Sequence, residues 1–465
     1  MSSDLSCSLR PRHVIMITIG GLIGAGLFVG SSAAIAVAGP AVVFSYLITG
    51  LIVLLVMRMA GEMAVASPHV NSFTEFAREG LGPIGGFAAG WLYWYFWVIV
   101  VPVEAIAGAN ILHEWLPLPT WQLGVGLMAI MTGINLVSAR SFGEFEFWFA
   151  SIKVAAIIVF IALAASYALG WNPQGTPTFG TLFQFGGALP HGFIAVLAGA
   201  VTVSFSMIGA EVVTIAAAES QEPARAIAKL TGSIIARLVT FYVGSIFLIV
   251  SVVPWTSVRV GESPFALALR SMGYSWAGTV MSAVILTAVL SCLNTAFYVC
   301  SRVLFVLAKS GDAPAGLVAL SSRRVPTRSV LVAAAAGFIG VLAAYKAPQT
   351  VFAFLVNSSA AVALFVYILI GISQIRLRRA RERVGIPTPS IAMWLFPWAS
   401  YIALGGILAV LIAMAVSPEH RREIHASLMT LAIVLLAYGV MRIRRNRSAA
   451  AADSASTAKT PETSQ

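Results

Sequence analysis

Apolar stretches of about twenty residues follow one another along nearly the whole chain, and a helix of that length crosses the roughly 30 Å hydrocarbon core of a bilayer. Read between turn and charge clusters, they lie near 14–36, 40–66, 84–113, 119–138, 146–169, 193–217, 232–254, 275–306, 329–345, 349–374, 395–416 and 426–442. Only 10% of the 465 residues are charged and 59% are hydrophobic, with a mean hydropathy of +0.90. That leaves too little polar surface to wrap a water-soluble fold of this size. The stretches do not alternate in polarity as the strands of a transmembrane barrel do. The expectation is an all-α polytopic membrane protein of about twelve transmembrane helices.

The net charge of +11 does not point to nucleic acid, because the basic residues sit in short segments between apolar stretches and not along a helix face interleaved with aromatics. Arg10, Arg12, Arg78, Arg140, Arg225, Lys229, Lys309, Arg323, Arg324, Arg328, the run from Arg376 to Arg383 and the cluster from Arg442 to Arg447 fall on one side. The other side carries Arg259, Arg270, Lys346, Arg421 and Arg422. The positive-inside bias makes the first side, with both termini, cytoplasmic, in a protein of the cytoplasmic (inner) membrane. The N-terminal apolar stretch lacks a small-residue cleavage site and is expected to be retained.

Cys7, Cys292 and Cys300 have no metal-ligand spacing, so neither a metal nor a disulfide is expected. His13, His69, His113, His191, His420 and His425 lie at span ends or in loops, away from any buried Ser or Cys. No nucleophile–base pair is available, so no catalytic residue, no cofactor and no enzyme activity are expected.

Gly20, Gly21, Gly24, Gly26 and Gly30 crowd the first span, where so many residues without side chains make continuous helix costly and close backbone approach easy. Two readings follow: an unwound segment, or tight helix packing through the Gly26/Gly30 spacing. Ile23-Gly24-Ala25 recurs about 185 residues later as Ile208-Gly209-Ala210, and there it runs straight into Glu211. Five spans separate the copies, and an odd repeat inverts the second relative to the first, the topology of transporters that alternate access around a central site. A half-helix starting near Gly26 would aim free N–H groups and a positive dipole end at an anion such as a carboxylate.

Ionisable residues inside spans are candidates for function. Glu211 is well inside the sixth, where a lone carboxylate needs a partner or a cavity; it either serves the site or caps free N–H groups of the second half-helix. Glu104 lies about 16 Å along the helix from Trp115 at the outer end of the third span, near the midplane. It is a candidate proton carrier, a counter-ion for an ammonium, or a neutral carboxyl bonded to a neighbouring helix. Lys153 is placed one or two turns into the fifth span, where its stem either snorkels to the interface or holds a buried, exchangeable proton. Glu62, one turn after Arg58, reads as structural. Phe205, one turn before Gly209, either packs or covers a bound molecule. The run Trp91, Tyr93, Trp94, Tyr95, Phe96, Trp97 is too dense to assign to one face.

Together these segments resemble the bacterial amino acid permeases of the amino acid–polyamine–organocation superfamily, most closely the GABA permeases, over roughly 10–445. The resemblance is carried by 20–30, Ala38-Gly39-Pro40 through Gly61-Glu62 to Pro68, Trp91 to Trp94 with Pro102-Val103-Glu104, Ser141 to Trp148 with Lys153, Gly209 to Glu219, and Ser291 to Thr295 with Ser301-Arg302. It implies a core of five-plus-five inverted repeats (LeuT-like) plus two C-terminal helices, and import of an amino acid with protons. Backbone groups around Ile23, Gly24, Ala25 and Gly26 would then hold a substrate carboxylate. Carbonyls around Phe205, Ser206 and Ile208 would receive its ammonium, with Glu211 beside them and Phe205 as an aromatic gate. Lys153, in the place a sodium ion fills in related transporters, and Glu104 would couple protons. The chain departs from the GABA permeases at Phe205-Ser-Met-Ile-Gly209 and Asn357-Ser-Ser-Ala-Ala361, so the amino acid carried is open.

The expected layout is an N-terminal segment (1–13), a first repeat (14–169), a second repeat (193–374), two further helices (395–442) and a disordered tail (448–465). The expected partners are an amino acid, protons and the lipid bilayer, with no nucleic acid. Alternatives are an exchanger of the same fold and a non-transporting amino acid sensor.

Overall fold

The computed structural model describes residues 23–67, 70, 74–137, 142–209, 211, 238–321 and 325–457. Gly20, Gly21, Ala210, Glu219 and residues 14–22, 212–217 and 232–237 of the first, sixth and seventh spans lie outside the described residues.

Every described element is helical. The described part opens at Ile23 and Gly24, the first break, ahead of α1 (Ala25–Phe28) and α2 (Ser31–Ala38); α3 (Val42–Ala66), the short α4 (Glu75–Leu81), α5 (Pro83–His113), α6 (Thr120–Val137) and α7 (Phe142–Ala168) follow. After the short α8 (Thr181–Gln184), α9 (Gly192–Met207) runs to the second break. A π-helical stretch (Leu238–Gly244) leads into α10 (Ser245–Val252), then come α11 (Pro264–Ser271), α12 (Ser275–Lys309), α13 (Thr327–Ala343), α14 (Pro348–Arg383), α15 (Trp398–Val416) and α16 (Arg421–Thr457). Among the described residues, seven helical stretches are long and apolar enough to cross a membrane, and three shorter apolar helices join them. The all-α polytopic expectation holds, and the chain is a multi-pass membrane protein.

Helix α5 is the central column, buried on most sides and packed on α12, α13 and α14. It starts where Pro83 takes the first helical position, in which a missing N–H costs nothing, after Gly82 turns the chain at φ +79°. Inside it, Pro102 is accommodated by Gly340 of α13, where a Cβ would lie 2.5 Å from the proline ring. Small residues also let α9 approach α3: Ser45 Oγ donates to Val196 O at 2.7 Å and Thr49 Oγ1 to Ala200 O at 3.1 Å. Hydroxyls that return their bond to a neighbouring backbone suit a core without water.

At the basic end of the bundle, Glu62 of α3 is 3% exposed and accepts from Gln374 Nε2 at 3.0 Å, Arg378 Nη1 at 2.9 Å and Met393 N at 2.6 Å. The structural reading of Glu62 fits these contacts, but its ion-pair partner is Arg378, while Arg58 turns to Ala392 O at 2.9 Å. One carboxylate thereby ties α3, α14 and the α14–α15 connection together. Two ends differ from expectation. Helix α14 continues past the apolar stretch to Arg383, because Leu, Arg, Ala and Glu are strong helix formers. Helix α16 continues to Thr457, into the stretch 448–465 expected to lack structure, because its alanine-rich sequence has the highest helix propensity.

Candidate functional site

At the first break, Gly24 is extended (φ −135°, ψ −158°) and α1 starts at Ala25. The first N–H groups of a helix have no partner within it, and here the Ala25 N–H donates to Glu104 Oε2 of α5 at 3.4 Å. A Cβ on Gly26 would stand 2.6 Å from Ser206 Cα, so Gly26 is the point at which the first break touches the end of α9. Of the two readings of the glycines, Gly26 satisfies both: it packs closely, and what it packs on is the other break. Gly30 instead faces its own preceding turn, with Gly26 O 2.7 Å from a built Cβ.

At the second break, α9 ends at Met207, Ile208 is extended (φ −71°, ψ 140°) and Gly209 takes φ +116°, a region closed to residues with a side chain. The Gly209 N–H leaves the helical ladder, in which it would reach the Phe205 carbonyl, and donates to Glu211 Oε2 at 2.9 Å. Glu211 also accepts from Tyr93 OH of α5 at 2.9 Å and Tyr367 OH of α14 at 3.3 Å. The Ser206 carbonyl accepts from Tyr242 OH at 3.1 Å. The Gly209 N–H is thus met by an acid two residues on, and that acid and the Ser206 carbonyl by tyrosines from elsewhere in the bundle, in keeping with a buried backbone in hydrocarbon.

Between the breaks lies a cavity of about 20 Å³, room for about one water molecule, lined by Gly24, Gly26, Phe96, Trp97, Val100, Glu104, Phe205, Ser206, Ile208 and Cys292. The Phe96 and Phe205 rings meet at its wall with centroids 5.8 Å apart. The Cys292 thiol stands against Gly24, 2.9 Å from where a Cβ would be, and bonds the Glu104 carboxyl.

Lys153 lies about one and a half turns into the apolar part of α7, which begins at Trp148. Its side chain is 1% exposed and its ammonium donates to Ser291 Oγ at 2.9 Å. A snorkelling stem would be exposed; this one is not. Ser291 precedes Cys292 on α12, and the Lys153 charge is within electrostatic reach of Glu104.

Gly24, Gly26, Phe205, Ser206, Ile208 and Glu104 therefore converge on one cavity. Ile23 and Ala25 are buried beside it without lining it, Lys153 stands one residue behind its wall, and Glu211 does not line it. The contacts of Glu211 match the alternative in which its carboxylate caps a free N–H of the break. Phe96, Trp97, Val100 and Cys292 were not singled out from the sequence, nor were Tyr93 and Tyr367 as partners of Glu211. The dense aromatic run held the signal for Phe96 and Trp97 without saying which rings turn inward.

A family model described as amino acid permease matches residues 13–448. The chain is 42% identical to a gamma-aminobutyric acid permease of Bacillus subtilis over 97% of both chains. It is 45% identical to a probable GABA permease of Pseudomonas aeruginosa, over 96% of this chain and 94% of that one. It is also 37% identical to the aromatic amino acid transport protein AroP of Escherichia coli, over 89% of this chain and 91% of that one. A helical membrane bundle with two breaks facing one small cavity, matched along nearly its whole length, is therefore a transporter: the chain belongs to the amino acid permease family.

Proposed function

We propose that this permease imports a zwitterionic amino acid, GABA or a near relative, together with protons across the inner membrane, with both termini cytoplasmic and two inverted five-helix repeats meeting at the cavity. The observation that carries the proposal is the line of groups from Ala25 N–H through the Glu104 carboxyl and the Cys292 thiol to Ser291 and the Lys153 ammonium. It joins a backbone anion site to two buried ionisable side chains. A substrate carboxylate arriving at the start of α1 competes with Glu104 for the Ala25 N–H, and two carboxylates side by side favour a proton on one of them. Substrate arrival and proton uptake are then one event. The substrate ammonium is received at the Phe205 carbonyl, whose helical donor is diverted to Glu211.

An amino acid needs more than one water's space, so Phe96 and Phe205 must part to admit it. The test is uptake into proteoliposomes of purified protein, with a competition panel of GABA, proline, aromatic and branched amino acids. Accumulation that requires an imposed proton gradient supports the proposal. Uptake that depends only on amino acid loaded inside would establish exchange in its place.

A further inference from the structure

The run of arginines closing α14 divides by face. Arg378 and Arg381 turn inward, to Glu62 and Glu382 and to Ala66 O and Ser67 Oγ. Arg376, Arg379 and Arg383 are exposed, and at 100° per residue they fall within about 60° of one helix face, continuing the line of the exposed, apolar Ile372. Among the described residues no carboxylate pairs with these three.

Their depth follows from α15. That helix has 19 residues, about 28 Å, so Trp398 and Val416 mark the two boundaries of the hydrocarbon. Trp398 is 70% exposed, its ring meets Tyr401 at 6.3 Å, and Arg379 Nη2 donates to Tyr401 OH at 2.6 Å. Arg379 therefore sits at headgroup level on the outside of the protein. Helices α14 and α15 touch just below, where a Cβ on Gly371 would be 2.8 Å from Leu404 Cδ2. An interfacial Trp and Tyr beside a stripe of guanidinium groups that no described carboxylate neutralises, above apolar lipid-facing side chains, presents positive charge at phosphate height and hydrocarbon at acyl-chain height.

We infer that the Ile372–Arg376–Arg379–Arg383 face of α14, with Trp398 and Tyr401 of α15, binds the headgroup of an anionic phospholipid in the leaflet at the basic end of the protein. Arg376 and Arg379 hold the phosphate, Arg383 adds charge from above, and the acyl chains lie along Ile372 and Ile402. The inward arginines keep their own carboxylate and backbone partners, so the site draws on charge that no described ion pair uses.

The test is native mass spectrometry of the full-length protein in detergent, titrated with phosphatidylglycerol and, separately, phosphatidylcholine. Phosphatidylglycerol is expected to bind the wild type at least tenfold more tightly than phosphatidylcholine. Each single variant, Arg376→Gln or Arg383→Gln, should weaken its first binding step on the order of fivefold, and the triple variant with Arg379→Gln more than tenfold. A control triple, Lys309→Gln, Arg328→Gln and Arg442→Gln, removes equal charge from the same end and should change binding less than twofold. Equal losses in both triples would show diffuse attraction and overturn the site. So would equal affinity for the two lipids, or displacement of the lipid by excess inorganic phosphate.

Discussion

The two breaks are built from the same three-residue phrase, yet their carboxylates are placed differently. At the first break the carboxylate, Glu104, comes from another helix, lines the cavity and lies within electrostatic reach of a lysine. At the second it comes from the break itself: Glu211 folds back two residues to Gly209 and is held by two tyrosines away from the cavity wall. One acid faces the cavity, where the proposed proton uptake needs it. The other is enclosed by donors, an arrangement that fixes a backbone shape. Similar sequence and similar depth therefore do not give similar chemistry; the partners decide.

Substitutions test this contrast, and the largest effect is expected at Lys153. Lys153→Ala should abolish gradient-driven accumulation in proteoliposomes while substrate binding partly survives, and unchanged accumulation would remove Lys153 from coupling. Glu104→Gln comes next, with accumulation down about a hundredfold, the lower end of what a lost proton-transfer group costs, and with its pH dependence flattened. Retained pH dependence in that variant would erase the distinction between the two acids. Glu211→Gln should instead lower stability by about 1–3 kcal/mol, the cost of weakening a buried charge-assisted network, read as a lower thermal midpoint in detergent. Were it to uncouple transport at unchanged stability, the second break would belong with the first. Gly24→Ala places a methyl 2.9 Å from Cys292 Sγ; uptake should fall several-fold and partly recover when Cys292→Ala is added, whereas no recovery would place the clash elsewhere. Tyr367→Phe, losing a bond of 3.3 Å, should cost about 0.5–1.5 kcal/mol, the smallest change of the set.

What could be read from sequence follows the same divide between local and distant causes. The span 84–113 is met by α5 at Pro83–His113, because composition and a proline at the helix start are local signals. The breaks were legible because glycines crowd the first span and a glycine stands beside a buried acid in the sixth. Their partners were not: Tyr93 and Tyr367 lie 118 and 156 residues from Glu211, and Arg378 lies 316 from Glu62. Those pairs exist only once the bundle is assembled. Cys292 was passed over because no metal or disulfide was expected of it, which says nothing about whether a small side chain forms part of a wall.

The meeting of Gly26 with the backbone of Ser206 also bears on how this molecule can change over generations. Peptide groups are not encoded residue by residue, so no point mutation can rewrite the contact surface that the two breaks offer; it can only spoil it by adding a Cβ where none fits. Phe96, Trp97, Val100, Ile208 and Cys292 are encoded, and each faces the same cavity. Inheritance can therefore alter the size and shape of what is accommodated far more readily than the way its polar ends are held. Lineages built on this plan should diverge in the side chains they accept while keeping the breaks intact.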